Sequence, residues 1–208
     1  MKEYILNNGA EIVESVELYQ TNQEEEDRKA SEKKAKAFLE ENKNNANLPI
    51  VGNKDGDITL VEFFDYNCGY CRKALDAIKT VLKEDDNLKV IFFDMPILGA
   101  SSLEISKWSL AAQKQGKYFE YHQELLNYNG QKSENVLEKL ATKVGLDVEQ
   151  LKKDKDSKEV VTILTNNIEK AQDMGIRGTP GFIIDGKVYP GYMPAERIKD
   201  ILEEARKG

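Results

Sequence analysis

The sequence predicts an α/β domain preceded by a charged helical segment, and three observations predict it. A run of β-branched and aromatic residues, Ile58-Thr59-Leu60-Val61-Glu62-Phe63-Phe64, is followed by apolar positions at helical spacing, 74, 75, 78, 81 and 82. A second apolar run, Phe182-Ile183-Ile184, follows a Gly-Thr-Pro-Gly stretch and leads into an Asp185-Gly186 turn signal. The first fifty residues instead carry a short apolar stripe and then opposite charges four residues apart.

The elements follow in order. From Ile5 to Tyr19 apolar residues recur at 5, 6, 12, 13, 16, 18 and 19, and taking Ile5, Ile12 and Tyr19 as heptad d positions places Gly9 and Val16 at a. Between Thr21 and Asn47 the only large apolar residues are Phe38 and Leu39, and Glu24 stands four before Arg28, Glu25 before Lys29 and Glu32 before Lys36. This stretch is expected to be a solvated, semi-rigid helical spacer of about 40 Å at 1.5 Å per residue. A stripe carried away from the folded domain needs another chain to cover it. Residues 1–20 are therefore expected to form an oligomerisation helix, 21–48 a charged helical linker and 49–208 the folded domain.

Within that domain the strand over 58–64 and the helix after it are followed by a strand at Leu88–Asp94, stopped by Pro96. Residues from about 100 to 173 have helical spacing, broken near Asn129-Gly130 and Gly145-Leu146-Asp147. Trp108, Tyr118, Phe119 and Tyr121 are expected to fill the core of this helical insertion. A strand after Pro180, a hairpin at Asp185-Gly186, a strand over 187–189 and a helix beginning near Pro194 end the chain.

Composition excludes several functions. Thirty Lys and Arg against 37 Asp and Glu give a net charge of −7 over 208 residues, with the signs interspersed, so no basic face offers itself to nucleic acid. No apolar run approaches the roughly 20 residues that cross a bilayer. No phosphate-binding loop or cluster of metal ligands is present, so neither a cofactor nor a metal is expected.

The only cysteines are Cys68 and Cys71, and the only histidine is His122. Structural zinc needs four ligands, and haem attachment needs a histidine where Arg72 stands. His122 lies in a helix-like run and is expected to be a surface or half-buried residue, not a partner for a cysteine nucleophile. A dithiol/disulfide couple remains. It sits where a strand turns into a helix, so unpaired backbone N–H groups and the helix dipole favour a thiolate at Cys68. Cys68 is expected to attack, and Cys71, one turn on, to resolve the mixed disulfide.

With these residues in place the chain resembles the thioredoxin superfamily, and within it the DsbA-like branch of bacterial envelope proteins. Leu60-Val61-Glu62-Phe63-Phe64 before Cys68-Gly69-Tyr70-Cys71 carries the resemblance, together with Arg177-Gly178-Thr179-Pro180-Gly181-Phe182-Ile183-Ile184-Asp185-Gly186. It implies a thioredoxin fold with an inserted helical domain and a cis Pro180 packed on the dithiol. It also implies that Thr179 presents backbone groups to a substrate segment, and that Gly69 and Tyr70 tune the redox couple. Glu62 takes the place of a buried acid that moves a proton for the second cysteine, although strand alternation leaves its face open. Tyr70, Tyr66 and Phe64 are expected at the substrate-contact surface.

The N-terminal segment, Cys-Gly-Tyr-Cys and Thr-Pro are together similar to the ScsC-like group, whose trimers act as disulfide isomerases. The resemblance implies a homotrimer in the periplasm or bacterial envelope, with its signal peptide removed. Misfolded or newly exported cysteine-containing proteins are the expected substrates, and a membrane partner such as a DsbD-like reductase is the expected electron donor. A dithiol oxidase and a copper-binding or chaperone protein are the alternatives.

Overall fold

The structure is a computed structural model that describes residues 7–45 and 48–207. A long helix, α1 (Gly9–Asn42), precedes five strands: β1 (Ile50–Gly52), β2 (Ile58–Phe64), β3 (Leu88–Asp94), β4 (Gly181–Ile184) and β5 (Lys187–Pro190). They form one sheet in the order β1-β3-β2-β4-β5. β2 and β3 run parallel, joined across α2 (Gly69–Glu84), and every other pairing is antiparallel. β1 was not expected from the sequence. Three residues are too few to show an alternation, and its place comes from pairing Val51 with Val90.

β2 and β3 are covered on both faces, which is why they read as continuous apolar runs. Leu60, Phe64, Val90 and Phe92 face a larger core built with α2 and with the closing helix at Ala195–Lys207. Val61, Phe63, Ile91 and Phe93 face a smaller core on the opposite side. Between β3 and β4 lie α3 (Ala100–Gln113), α4 (Tyr118–Asn127), α5 (Glu134–Lys143), α6 (Val148–Asp154) and α7 (Lys158–Asp173), and the closing helix is α8. Asp147 and Ser157 cap α6 and α7 by accepting the N–H groups of Gln150 and Val160. The breaks between α3 and α4 and between α6 and α7 escaped the sequence reading. Trp108, Tyr118 and Tyr121 are buried in the larger core, with Phe119 packed against it.

The hairpin between β4 and β5 turns on Asp185 and Gly186, both at positive φ, the geometry that makes Asp-Gly a two-residue turn.

One expectation needs correcting. The segment 21–48 is not a solvated spacer throughout, because α1 runs without interruption through residue 21 and its last turns are part of the domain. Ala35, Phe38 and Leu39, spaced to share one helix face, are buried in the smaller core. Phe38 packs against the stacked pair Phe63 and Phe93 at ring-centroid distances of 5.7 and 5.0 Å. Ser31 Oγ and Lys34 Nζ donate to the carbonyls of Met174 and Asp173 at 2.5 and 2.9 Å. Two large apolar residues are a faint signal, and the small Ala35 beside them lets the helix approach the sheet. Further out, Arg28 pairs with Glu25 and Glu32, and Lys29 with Glu25. Ile12, Val16 and Tyr19 are exposed on the undocked half, 66% for Tyr19. Ile5 lies outside the described residues.

Phe38→Ala is expected to lower the unfolding free energy in a urea titration by about 3 kcal/mol, because it leaves a cavity against the Phe63 and Phe93 rings.

Candidate active site

The turn between β2 and α2 is fixed by Asp65. Its buried carboxylate accepts the N–H of Asn67 (2.8 Å), the Ser102 hydroxyl (2.8 Å), and the N–H groups of Ile97 (2.9 Å) and Leu98 (3.0 Å). Its carbonyl accepts the N–H of Cys68 at 3.0 Å. Helix α2 then starts on Cys68, whose extended backbone and sulfur make it the N-cap, with the Cys71 N–H donating to Cys68 Sγ at 3.3 Å. Cys71 is buried and Cys68 partly exposed, and both are free thiols.

Pairing of β2 with β4 puts Phe63 opposite Gly181, so the residues just before β4 reach the dithiol. The Thr179-Pro180 bond is cis, and Cys68 Sγ lies 3.3 Å from the Thr179 carbonyl oxygen. Segments 111 residues apart thus meet at one sulfur.

The two thiols are unequal. Cys68 is pulled down to about 6, first by the hydrogen bond from the Cys71 thiol, then by Thr179 and by the backbone N–H groups of Cys71 and Tyr70, against the opposing effect of burial. Cys71 is pushed far up by burial, by its bond to Cys68 and by nearby Glu62.

Glu62 shares its strand face with Leu60 and Phe64, and so faces the core that contains Cys71. It is fully buried, with neither carboxyl oxygen hydrogen-bonded among the described residues. Burial, and secondarily Cys68, hold its pKa well above the ordinary range, so the neutral acid is favoured.

Around the dithiol, Tyr70 is 59% exposed, stands 6.2 Å from the Tyr192 ring and carries the Lys73 ammonium over its face. Tyr66 and Phe64, expected at the contact surface, are buried instead. They meet edge to face at 5.0 Å, and the Tyr66 hydroxyl bonds to Ser109 and His122 at 2.5 and 3.0 Å. His122 is also fully buried, contrary to expectation, because 118, 121, 122, 125 and 126 form the inward face of α4. Burial holds it near 3, so the ring is neutral. Deeper, Tyr118 donates to Asp94 at 2.7 Å, and burial pushes Asp94 up to about 7.

Sequence reasoning missed Asp65, Asn67 and the buried serines Ser102, Ser106 and Ser109. A signal existed: Asp-x-Asn at a strand end is a turn former, and the three serines share one face of α3.

Two outcomes follow from these environments. Iodoacetamide should alkylate Cys68 with a pH midpoint near 6 and leave Cys71 unmodified in the native reduced protein. Because Glu62 is neutral in the fold but ionises above about 4.5 when unfolded, it favours unfolding more as pH rises. Glu62→Leu should therefore stabilise the protein in urea, the gain growing above pH 4.5 by up to about 1.4 kcal/mol per pH unit.

Residues 59–203 match the family profile of the DSBA-like thioredoxin domain. A thioredoxin-like oxidoreductase from Silicibacter pomeroyi DSS-3 is 37% identical, with a TM-score of 0.76 over 80% of this chain and 96% of that one. The thiol-disulfide exchange protein α-DsbA2 of Wolbachia pipientis is 26% identical, with a TM-score of 0.75 over 83% and 96%. A linker-deletion mutant of Proteus mirabilis ScsC has a TM-score of 0.83 over 97% and 94% at 24% identity, a likeness of fold. Among curated proteins, the Na(+)/H(+) antiporter NhaA 1 of Mycobacterium sp. (strain KMS) is 30% identical over 162 residues, 76% of this chain. The chain spans about a quarter of that antiporter's length. The profile match runs from the strand before the dithiol into the last helix, and the chain belongs to the DsbA-like thioredoxin family.

Proposed function

We propose that the chain is a self-associating protein disulfide isomerase of the bacterial envelope, with Cys68 as nucleophile and Cys71 as resolving thiol. The observation that carries the chemistry is the contrast at the head of α2: a partly exposed sulfur near pKa 6 backed by a buried thiol one turn behind. The Cys68 thiolate attacks a wrong disulfide in a substrate, forming a mixed disulfide as the substrate bond breaks and releases a thiolate. That substrate thiolate, or another on the same chain, then attacks the mixed disulfide and restores Cys68, so isomerisation involves no net oxidation. Where the substrate fails to resolve it, the Cys71 sulfur displaces it, leaving a Cys68–Cys71 disulfide and a reduced substrate.

Each supporting residue has a place in that sequence. Glu62 relays protons for Cys71: neutral at rest, it first gives up its own proton to solvent, and its carboxylate then accepts the Cys71 proton as Cys71 becomes the nucleophile. Thr179 and Pro180 hold an extended substrate segment beside Cys68. Gly69 and Tyr70 tune the couple: the Tyr70 N–H points at the sulfur, and a side chain at Gly69 would meet open space, leaving the approach clear. A DsbD-like membrane reductase supplies the electrons that return the disulfide to the dithiol.

Self-association is supported by the exposed face of Ile12, Val16 and Tyr19 on the undocked half of α1, and three chains is the number that the ScsC-like resemblance favours. Several sites on one assembly raise the effective concentration for repeated attack on one misfolded chain.

A dithiol oxidase is a second reading, favoured by the low Cys68 pKa, since a stabilised thiolate makes the disulfide a stronger oxidant. Scrambled, fully oxidised substrate distinguishes the two: an isomerase recovers its activity, whereas an oxidase acts only on reduced substrate.

Cys68→Ser should abolish both activities, and Cys71→Ser should accumulate mixed disulfides visible on non-reducing gels. Removing residues 1–29, which spares Phe38, should give a folded monomer by light scattering, with isomerase activity at least about tenfold lower and oxidase activity retained. A full-length monomer, or a truncated one that isomerises as well as its parent, would overturn the assembly.

A further inference from the structure

A cavity of about 240 Å³ opens beside the nucleophile, and Cys68, Arg72, Tyr128, Asn129 and Lys132 line it. Its cations have only neutral partners. Arg72, one turn along α2, hydrogen-bonds to the Asn129 side-chain oxygen. Lys132, on the loop between α4 and α5, donates to the Tyr66 carbonyl at 3.0 Å. Among the described residues neither takes part in an ion pair. Asp65 attracts Lys132, but its oxygens already accept four donors at the β2–α2 turn. Burial, and then the charge of Arg72, hold the Lys132 pKa below its ordinary value. A negative group entering the cavity relieves that repulsion.

The exposed Tyr70 lies outside this lining, its ring 6.2 Å from that of Tyr192 and 5.0 Å from the Lys73 ammonium. The cavity beside the nucleophile is therefore cationic, with room for a single side chain.

We infer that this cavity is a specificity subsite for a carboxylate side chain of the substrate polypeptide, placed within a residue or two of the cysteine that exchanges with Cys68. The inference rests on the thiol-exchange reading and adds a substrate class to it. A carboxylate there pairs with Arg72 and Lys132 in a partly desolvated site, where charge pairing sets encounter and register more than it does on open surface.

The test uses the reduced full-length protein and three peptides that differ only in Glu, Gln or Lys beside a cysteine carrying a 2-thiopyridyl disulfide. Cys68 attacks the peptide sulfur, the protein–peptide disulfide forms, and the pyridyl–sulfur group leaves as thiopyridone, read by absorbance. The Glu peptide should react about tenfold faster than the Lys peptide at low ionic strength, with Gln between them and the ratio shrinking in salt. Lys132→Glu and Arg72→Glu should each bring the ratio to one or below, and Lys132→Arg should keep it. Taking the ratio within each protein cancels general changes in Cys68 reactivity, and circular dichroism checks each fold. Equal rates for the Glu and Lys peptides, or a preference that survives both charge reversals, would overturn the subsite. Release from none of the three would overturn the thiol-exchange reading itself.

Discussion

The Asp65 carboxylate is the contact on which the active-site end of the molecule depends. It gathers the turn after β2, the loop after β3 and the first turn of α3 through four hydrogen bonds, so core, loop and helical insertion share one anchor. Because its carbonyl also takes the Cys68 N–H, the same residue sets where α2 begins. The position of the nucleophile at a helix N-terminus is therefore a product of tertiary hydrogen bonding as much as of local propensity. Asn67 reinforces it from the other side by donating to Ser101 and Ser102.

Beneath that anchor, polar groups are buried in two contrasting ways. Tyr66, Ser109 and His122 are linked by hydrogen bonds between the insertion and the core, and Tyr118 reaches Asp94 nearby, so most of this polarity is satisfied. Glu62 has no such partner. Leaving a carboxyl orphaned in a close-packed core is costly, and natural cores hold such groups chiefly where proton chemistry needs them. The satisfied cluster and the unsatisfied acid lie on the same face of the sheet and divide its work, one joining subdomains and the other facing the dithiol.

Much of this was legible in the sequence where local pattern and tertiary role coincide. β2, β3, α2 and the Asp185-Gly186 hairpin follow from apolar runs and turn chemistry, and Cys-x-x-Cys at a strand-to-helix junction carried its chemistry with it. The meeting of Thr179-Pro180 with Cys68 followed from family resemblance alone, since no local signal links residues 111 apart. The docking of α1 was hidden because two aromatic or aliphatic residues in a highly charged helix leave almost no periodicity. Tyr66 and His122 were misplaced for a related reason: amphipathic side chains are buried when a hydrogen-bond partner awaits them, and Ser109, 43 residues from Tyr66, is such a partner.

The docking of α1 changes what kind of joint the protein has. Its free portion, from Gly9 to Ala30, extends about 33 Å at 1.5 Å per residue and continues into turns packed on β2 and β3 without a break. The segment is thus a bracket and not a tether. Swinging the dithiol relative to anything held at the far end requires bending a helix or pulling Phe38 off Phe63 and Phe93. Any object gripped at that end is held at a set bearing from Cys68, and the clearance between the two is fixed by helix length instead of being averaged over a flexible chain.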